Sequence, residues 1–152
     1  MGDQRPLDSN GFWRSVYLIK LRWDQFDLAV ASLAEQTKDT DYSGVFGVPR
    51  GGLCLAVALS HALYLPLLVT PNSDALIVDD VYETGRTLDA LRLQCPDATF
   101  AVWVSKCPPQ WWLAAEVVDS PEWLLFPWEN ADQVMADEQA YRRSRCSGDP
   151  CG

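Results

Sequence analysis

Apolar residues in this chain fall into short, regularly spaced blocks whose period changes from one block to the next. Behind Asp24, the residues Phe26, Ala29, Val30, Leu33 and Ala34 recur at helical spacing and leave Asp27, Glu35 and Gln36 for other faces, which predicts an amphipathic helix. Residues 45–48 are too short for a helix and read as a strand. Residues 53–65 are almost wholly apolar over a length that only a buried helix fills. A continuous apolar run at 75–78 predicts a strand covered on both faces, 87–94 a helix, 99–105 a third strand and 123–126 a fourth, short one. Strands that alternate with helices predict an α/β fold, an open parallel sheet with helices on both faces. In such a sheet ligands bind beyond the carboxyl ends of the strands.

The ends of the chain differ from the middle. Residues 1–11 and 142–152 are polar, contain Gly or Pro and lack core formers, so a single domain over 12–141 is expected between a flexible N-terminus and a flexible tail. At 152 residues, with 48% hydrophobic and 22% charged positions, the chain is long enough to bury an ordinary core. Its formal charge of -9 excludes a general nucleic-acid or acidic-membrane binder, which needs a basic footprint. A phosphorylated ligand must then be held locally. The N-terminus has no signal-peptide pattern and no apolar run reaches membrane length, so the expected location is cytoplasmic. The cysteines at 54, 95, 107, 146 and 151 show no metal-ligand spacing and are expected as reduced thiols, with a Cys146–Cys151 disulfide as the alternative.

Candidate chemistry concentrates in Ala75-Leu-Ile-Val-Asp-Asp-Val-Tyr-Glu-Thr-Gly-Arg-Thr-Leu88. A buried-strand pattern ends in Asp79 and Asp80, and the chain turns through Glu83, Thr84, Gly85, Arg86 and Thr87 into a helix. Backbone N–H groups and hydroxyls converge there at a helix N-terminus, which suits a phosphate. Carboxylates accept bonds from vicinal hydroxyls and attract a hard cation. A second strand-to-helix loop, Gly47-Val-Pro-Arg-Gly-Gly-Leu53, offers backbone close approach at Gly51 and Gly52 and a fork of donors at Arg50. The strand Phe100-Ala-Val-Trp-Val-Ser delivers Lys106 at the same predicted end.

The string from 75 to 88 resembles the signature of the type I phosphoribosyltransferases: an apolar strand, two acids, two spacers, an acid and Thr-Gly-x-Thr. Strand-Lys106, then Asp119, Trp123 and Pro127-Trp-Glu129 resembles the xanthine-guanine members, and the match covers residues 22–130. The resemblance implies that fold with a small C-terminal hood at about 107–130. It implies Mg²⁺-dependent transfer of the phosphoribosyl group from 5-phosphoribosyl-1-pyrophosphate (PRPP) to guanine, xanthine or hypoxanthine. By the same resemblance Asp79 and Asp80 hold the ribose hydroxyls, directly or through Mg²⁺, residues 83–87 wrap the 5-phosphate, and Arg50 and Gly51 meet the pyrophosphate. Lys106 meets the 6-oxo group, Trp123 stacks on the base or serves as core, and the Leu124 carbonyl meets the 2-position. It also implies a cis peptide between Arg50 and Gly51 and a homodimer or homotetramer, with no nucleic acid or membrane partner.

Two features depart from the family pattern. Glu83 stands where an Asp is expected to manage the N7 proton, and its extra methylene moves the carboxylate by about 1.5 Å. Between Leu65 and Ala75 a long mobile hairpin is expected, and only nine residues are present. A shortened lid exposes an oxocarbenium-like state to water unless something else covers it. Pro108-Pro-Gln-Trp-Trp-Leu113 is read either as such a cover or as packing under a loop. His61, the only histidine, is read as a packed or helix-surface residue. The alternatives to a purine transferase are a PRPP or nucleotide sensor with little catalysis and a transferase with a non-purine acceptor.

Overall fold

A computed structural model describes residues 18–146. The elements in chain order are β1 (Leu18–Lys20), α1 (Trp23–Thr37), β2 (Val45–Gly47), α2 (Leu53–Leu63), β3 (Leu67–Leu68), β4 (Leu76–Tyr82), α3 (Arg86–Gln94), β5 (Thr99–Ser105), β6 (Leu113–Val117), β7 (Trp123–Leu125) and α4 (Ala131–Cys146). Backbone packing divides the chain into two units. One is Asp24–Ser120, and the other joins the described residues up to Trp23 with those from Pro121 to Cys146.

The larger unit is built on a five-stranded parallel sheet in the order β3-β2-β4-β5-β6. Its three inner strands carry the apolar runs read from the sequence, and Leu76, Ile77, Val78, Ala101, Val102 and Trp103 are fully buried, as strands covered on both faces require. Adjacent residues of β5 face opposite sides of the sheet, which locates the helices. Trp103 meets Phe26 of α1 edge-on, with centroids 5.4 Å apart. Phe100 and Val102 join Leu88 of α3 and Cys95 in a core on the other face. The expected stripe of α1 is buried at Phe26, Ala29 and Leu33. At its end the Thr37 hydroxyl donates to the Leu33 carbonyl at 2.7 Å, which satisfies a buried hydroxyl.

Several elements depart from expectation. α2 stops at Leu63, two residues early, because Tyr64 takes a left-handed conformation (φ 55°) and Leu65 N–H bonds back to the Ser60 carbonyl. β4 continues past Val78 through the two aspartates to Tyr82, because its ladder with β5 continues through Asp79↔Val102 and Tyr82↔Ser105. Leu113–Val117, in the segment expected to open a hood, instead forms the edge strand β6 of the main sheet. The 65–75 interval holds β3 and a turn in which Ser43 Oγ donates to Asn72 Oδ1 at 2.9 Å, with no long hairpin.

In the smaller unit β1 and β7 form a separate two-stranded parallel sheet, pairing Leu18 with Trp123 and Ile19 with Leu124. Asn130 starts α4 by accepting backbone N–H bonds from Asp132 (3.0 Å) and Gln133 (3.2 Å), a side-chain N-cap. Val134 and Glu138 on one stripe of α4 are buried. This helix runs to Cys146, into the stretch expected to be a loose tail. Residues 1–11 and the tail beyond Cys146, including Cys151, lie outside the described residues. Among the described residues no helix is long and apolar enough to cross a membrane, and Cys54, Cys95 and Cys107 are free thiols.

Candidate active site

Three neighbouring parallel strands, β2, β4 and β5, end at one edge of the sheet and deliver the candidate residues of the larger unit. The ladder between β2 and β4 is prolonged by Val48 N–H to the Val78 carbonyl (2.9 Å), and that between β4 and β5 by Lys106 N–H to the Tyr82 carbonyl (2.8 Å). The loop at 47–53 therefore lies beside Asp79 and Asp80, and Lys106 beside the start of the loop at 83–87. Val48 and Val78, thirty positions apart in sequence, and Tyr82 and Lys106, twenty-four apart, meet here through strand register.

The first loop is held tightly. Gly52 N–H donates to the Val48 carbonyl at 2.8 Å, and Leu53 N–H to the Arg50 carbonyl at 3.1 Å. A Cβ on Gly52 would sit 2.5 Å from the Val78 carbonyl oxygen and 2.8 Å from Val48 N. One on Gly51 would run into the Asp80 carboxylate, 2.6 Å from its Cγ. Only glycine brings this backbone so close to the acid. Arg50 is exposed beside it. The cis peptide expected between Arg50 and Gly51 lies one bond earlier, at Pro49–Arg50.

The acidic pair is half-buried at the end of β4. Asp79 Oδ1 accepts the Asp80 backbone N–H and Asp80 Oδ1 accepts that of Val81, both at 2.8 Å, so each carboxylate is tied to the next peptide. Burial, and after it the neighbouring Asp80 carboxylate, push Asp79 up to about 8. Burial also raises Asp80, against the bonds it accepts. Two carboxyls in this position disfavour a second negative charge, and a cation or a hydroxyl-bearing ligand relieves them. Among the described residues no cluster of three or more His, Cys, Asp or Glu forms a metal cage. A pair of hard oxygens still suits Mg²⁺, which keeps most of its ligands as water or substrate oxygens.

The second loop has the opposite character. Glu83, Thr84, Arg86 and Thr87 are exposed, and only Gly85 is buried. Gly85 caps α3 in a left-handed conformation (φ 77°) and offers no side-chain cap of its own. The Thr84 hydroxyl reaches Arg86 N–H only at 3.5 Å. An uncapped helix N-terminus leaves backbone donors for an anion. Asp89 N–H closes the first turn on the Gly85 carbonyl at 2.7 Å.

Lys106 is half-buried, and its ammonium donates to the Ser120 carbonyl at 2.9 Å. Trp123 and Leu124 belong to the smaller unit. There Trp123 is half-buried with Tyr141 5.7 Å away, and Leu124 is buried. The Trp111–Trp112 pair is packing rather than a cover: Trp112 is buried, stacks on Tyr82 (3.7 Å, 14°) and donates from Nε1 to Ser105 Oγ at 3.0 Å. His61 is exposed on α2, away from the strand ends. Tyr82 is a residue that sequence reasoning passed over, because it occupies a spacer position of the motif.

No protein-family model matches the chain. It is similar to the xanthine-guanine phosphoribosyltransferase of Desulfotalea psychrophila, 25% identical over 76% of this chain and 89% of the relative. It is likewise similar to that of Idiomarina loihiensis, 27% identical over 77% of this chain and 90% of the relative. Among solved structures, a purine phosphoribosyltransferase from Pyrococcus horikoshii superposes with a TM-score of 0.61 and 27% identity, over 74% of this chain and 95% of that one. The fold is that of the type I phosphoribosyltransferases, and the candidate site lies at the strand ends of that fold. The sequence likenesses are to its purine branch, as the motifs suggested.

Proposed function

We propose that this protein transfers the phosphoribosyl group of PRPP to a 6-oxopurine, releasing pyrophosphate and forming a nucleoside 5′-monophosphate. The observation that carries this reading is the close approach of Gly51 to the Asp80 carboxylate, which leaves no room for a Cβ and sets a diphosphate-sized loop against a diol-binding pair at the ends of parallel strands. In this reading Arg50 and the Gly51 backbone hold the pyrophosphate, Asp79 and Asp80 the ribose hydroxyls, and the N–H groups at 84–87 the 5-phosphate. Mg²⁺ held at Asp79 and Asp80 would supply neutralising charge for the departing pyrophosphate. As the bond from C1 to the pyrophosphate oxygen breaks, a ring nitrogen of the base bonds to C1. Glu83, exposed at the mouth of the loop, manages the N7 proton. Rate enhancement comes chiefly from positioning and charge stabilisation.

The names of the similar proteins and Lys106 support an oxopurine acceptor. An ammonium has three donors, so holding Ser120 and meeting a 6-oxo group are compatible. Base contacts by Trp123 and the Leu124 carbonyl, a cytoplasmic location and a homodimer or homotetramer belong to the same reading. Incubation with PRPP, Mg²⁺ and guanine, xanthine or hypoxanthine should yield nucleotide and pyrophosphate. The double replacement Asp79→Asn with Asp80→Asn should abolish both products, and an unchanged rate would sink the assignment. A sensor with little catalysis is the second reading, favoured by the short 65–75 interval. Binding of PRPP with no nucleotide from any base, including pyrimidines, would select it.

A further inference from the structure

Tyr82 ends β4 between the acidic pair and the phosphate loop, at a position to which the proposed reaction gives no role. Its ring lies flat on Trp112 and edge-on to Trp111, with centroids 3.7 and 5.9 Å away. Both tryptophans are fixed in turn. Trp112 donates to Ser105 Oγ, whose hydroxyl donates to the Cys107 carbonyl. Trp111 meets Phe100 edge-on at 5.4 Å and carries the Arg92 guanidinium over its face at 4.5 Å. The Tyr82 hydroxyl donates to Asp89 Oδ1 at 3.3 Å, one turn into α3. Above the ring sits Gly85: a Cβ there would strike the Tyr82 hydroxyl and lie 2.7 Å from its Cζ and 3.0 Å from Asp89 Oδ2.

Gly85 is the one loop residue at 83–87 that is buried, and Tyr82 is what it is buried against. Gly85 offers the loop no side-chain cap, and the Thr84 hydroxyl accepts the Arg86 N–H only at 3.5 Å. We propose that Tyr82 is a positioning residue that fixes the 5-phosphate loop from below, transmitting the rigidity of the Trp111–Trp112 pair to the backbone donors at Gly85–Thr87. This rests on reading 83–87 as the 5-phosphate loop. A donor set held in place before binding loses less freedom when the anion arrives, so the brace acts on affinity for the phosphate end of the substrate and leaves the pyrophosphate end alone.

Ribose 5-phosphate and pyrophosphate separate the two ends, and calorimetric titration of each against native protein, Tyr82→Leu and Tyr82→Phe tests the proposal. Tyr82→Leu removes the flat ring and should weaken ribose 5-phosphate about ten-fold while pyrophosphate stays within about two-fold. Tyr82→Phe keeps the ring, loses only the bond to Asp89, and should recover affinity to within roughly three-fold of native. Equal weakening of both ligands, or no change in either, overturns the brace. Where Tyr82→Leu does not fold, Tyr82→Met, which also removes the flat ring but fills more of its volume, decides: a selective loss for ribose 5-phosphate supports the brace and an unchanged ratio of affinities overturns it. Native protein that binds pyrophosphate but not ribose 5-phosphate overturns the assignment of the loop, and the brace with it. Native binding of both, with variants that match it, overturns the brace alone.

Discussion

The two strand-to-helix loops of the candidate site are held in opposite ways. The loop at 47–53 is closed in by its neighbours: a Cβ at Gly51 would strike the Asp80 carboxylate and one at Gly52 the backbone of Val48 and Val78. The loop at 83–87 is open to solvent, left uncapped, and supported at one point by an aromatic ring. Glycine serves both, for different reasons. In the first loop it clears space for another chain segment, and in the second it supplies a left-handed turn as well. One loop depends on sheet register, the other on its own turn and the residue beneath it.

If that contrast holds, Gly51→Ala should be the most damaging single change, because the new methyl drives against Asp80 and displaces the loop and the acid together. A loss of roughly 100-fold in nucleotide formation is expected. Thermal unfolding should change far less, and a variant within two-fold of native activity would show that the contact has no function. Gly85→Ala should act mainly on stability and phosphate binding. A left-handed alanine and a clash with the Tyr82 ring cost about 2–4 kcal/mol together, read from denaturant unfolding. Ribose 5-phosphate affinity should fall with it, while pyrophosphate affinity holds.

The smallest effect is expected between the loops, at Asp79. Its folded value, about 8, lies above the ordinary 3.8. The stability contributed by the buried neutral carboxyl is therefore full below about pH 4 and is lost as pH rises through about 8. In metal-free buffer Asp79→Asn should unfold near the native temperature at pH 4 and a few °C above it at pH 8, as an order-of-magnitude expectation. A gain that shrinks between those values would reverse the assignment of Asp79 as a buried acid.

Local patterning carried much of the fold. The stripe of α1, the apolar runs of β4 and β5 and the glycine turn before α3 are short-range signals, and each element formed within a few residues of its expected place. The missed elements carry weak local signals. β1 has three residues and β3 two, and each becomes a strand only by pairing, with β7 and β2 respectively. α4 was announced by Asn130 and the spacing of Val134, Glu138 and Tyr141, a polar stretch whose narrow stripe is easy to overlook.

The same division runs through the site. Two acids at a strand end, a turn through Thr84 and Gly85, and a helix after it are consecutive residues, so their order alone marked the candidate site. Contacts between distant segments are set by register and packing, which no consecutive string contains. The approach of Gly51 to Asp80, the burial that lifts Asp79, the edge position of β6 and the stack of Tyr82 on Trp112 were decided there. The sequence named both loops; the tertiary structure set the first against Asp80 and placed the Tyr82 ring beneath the second.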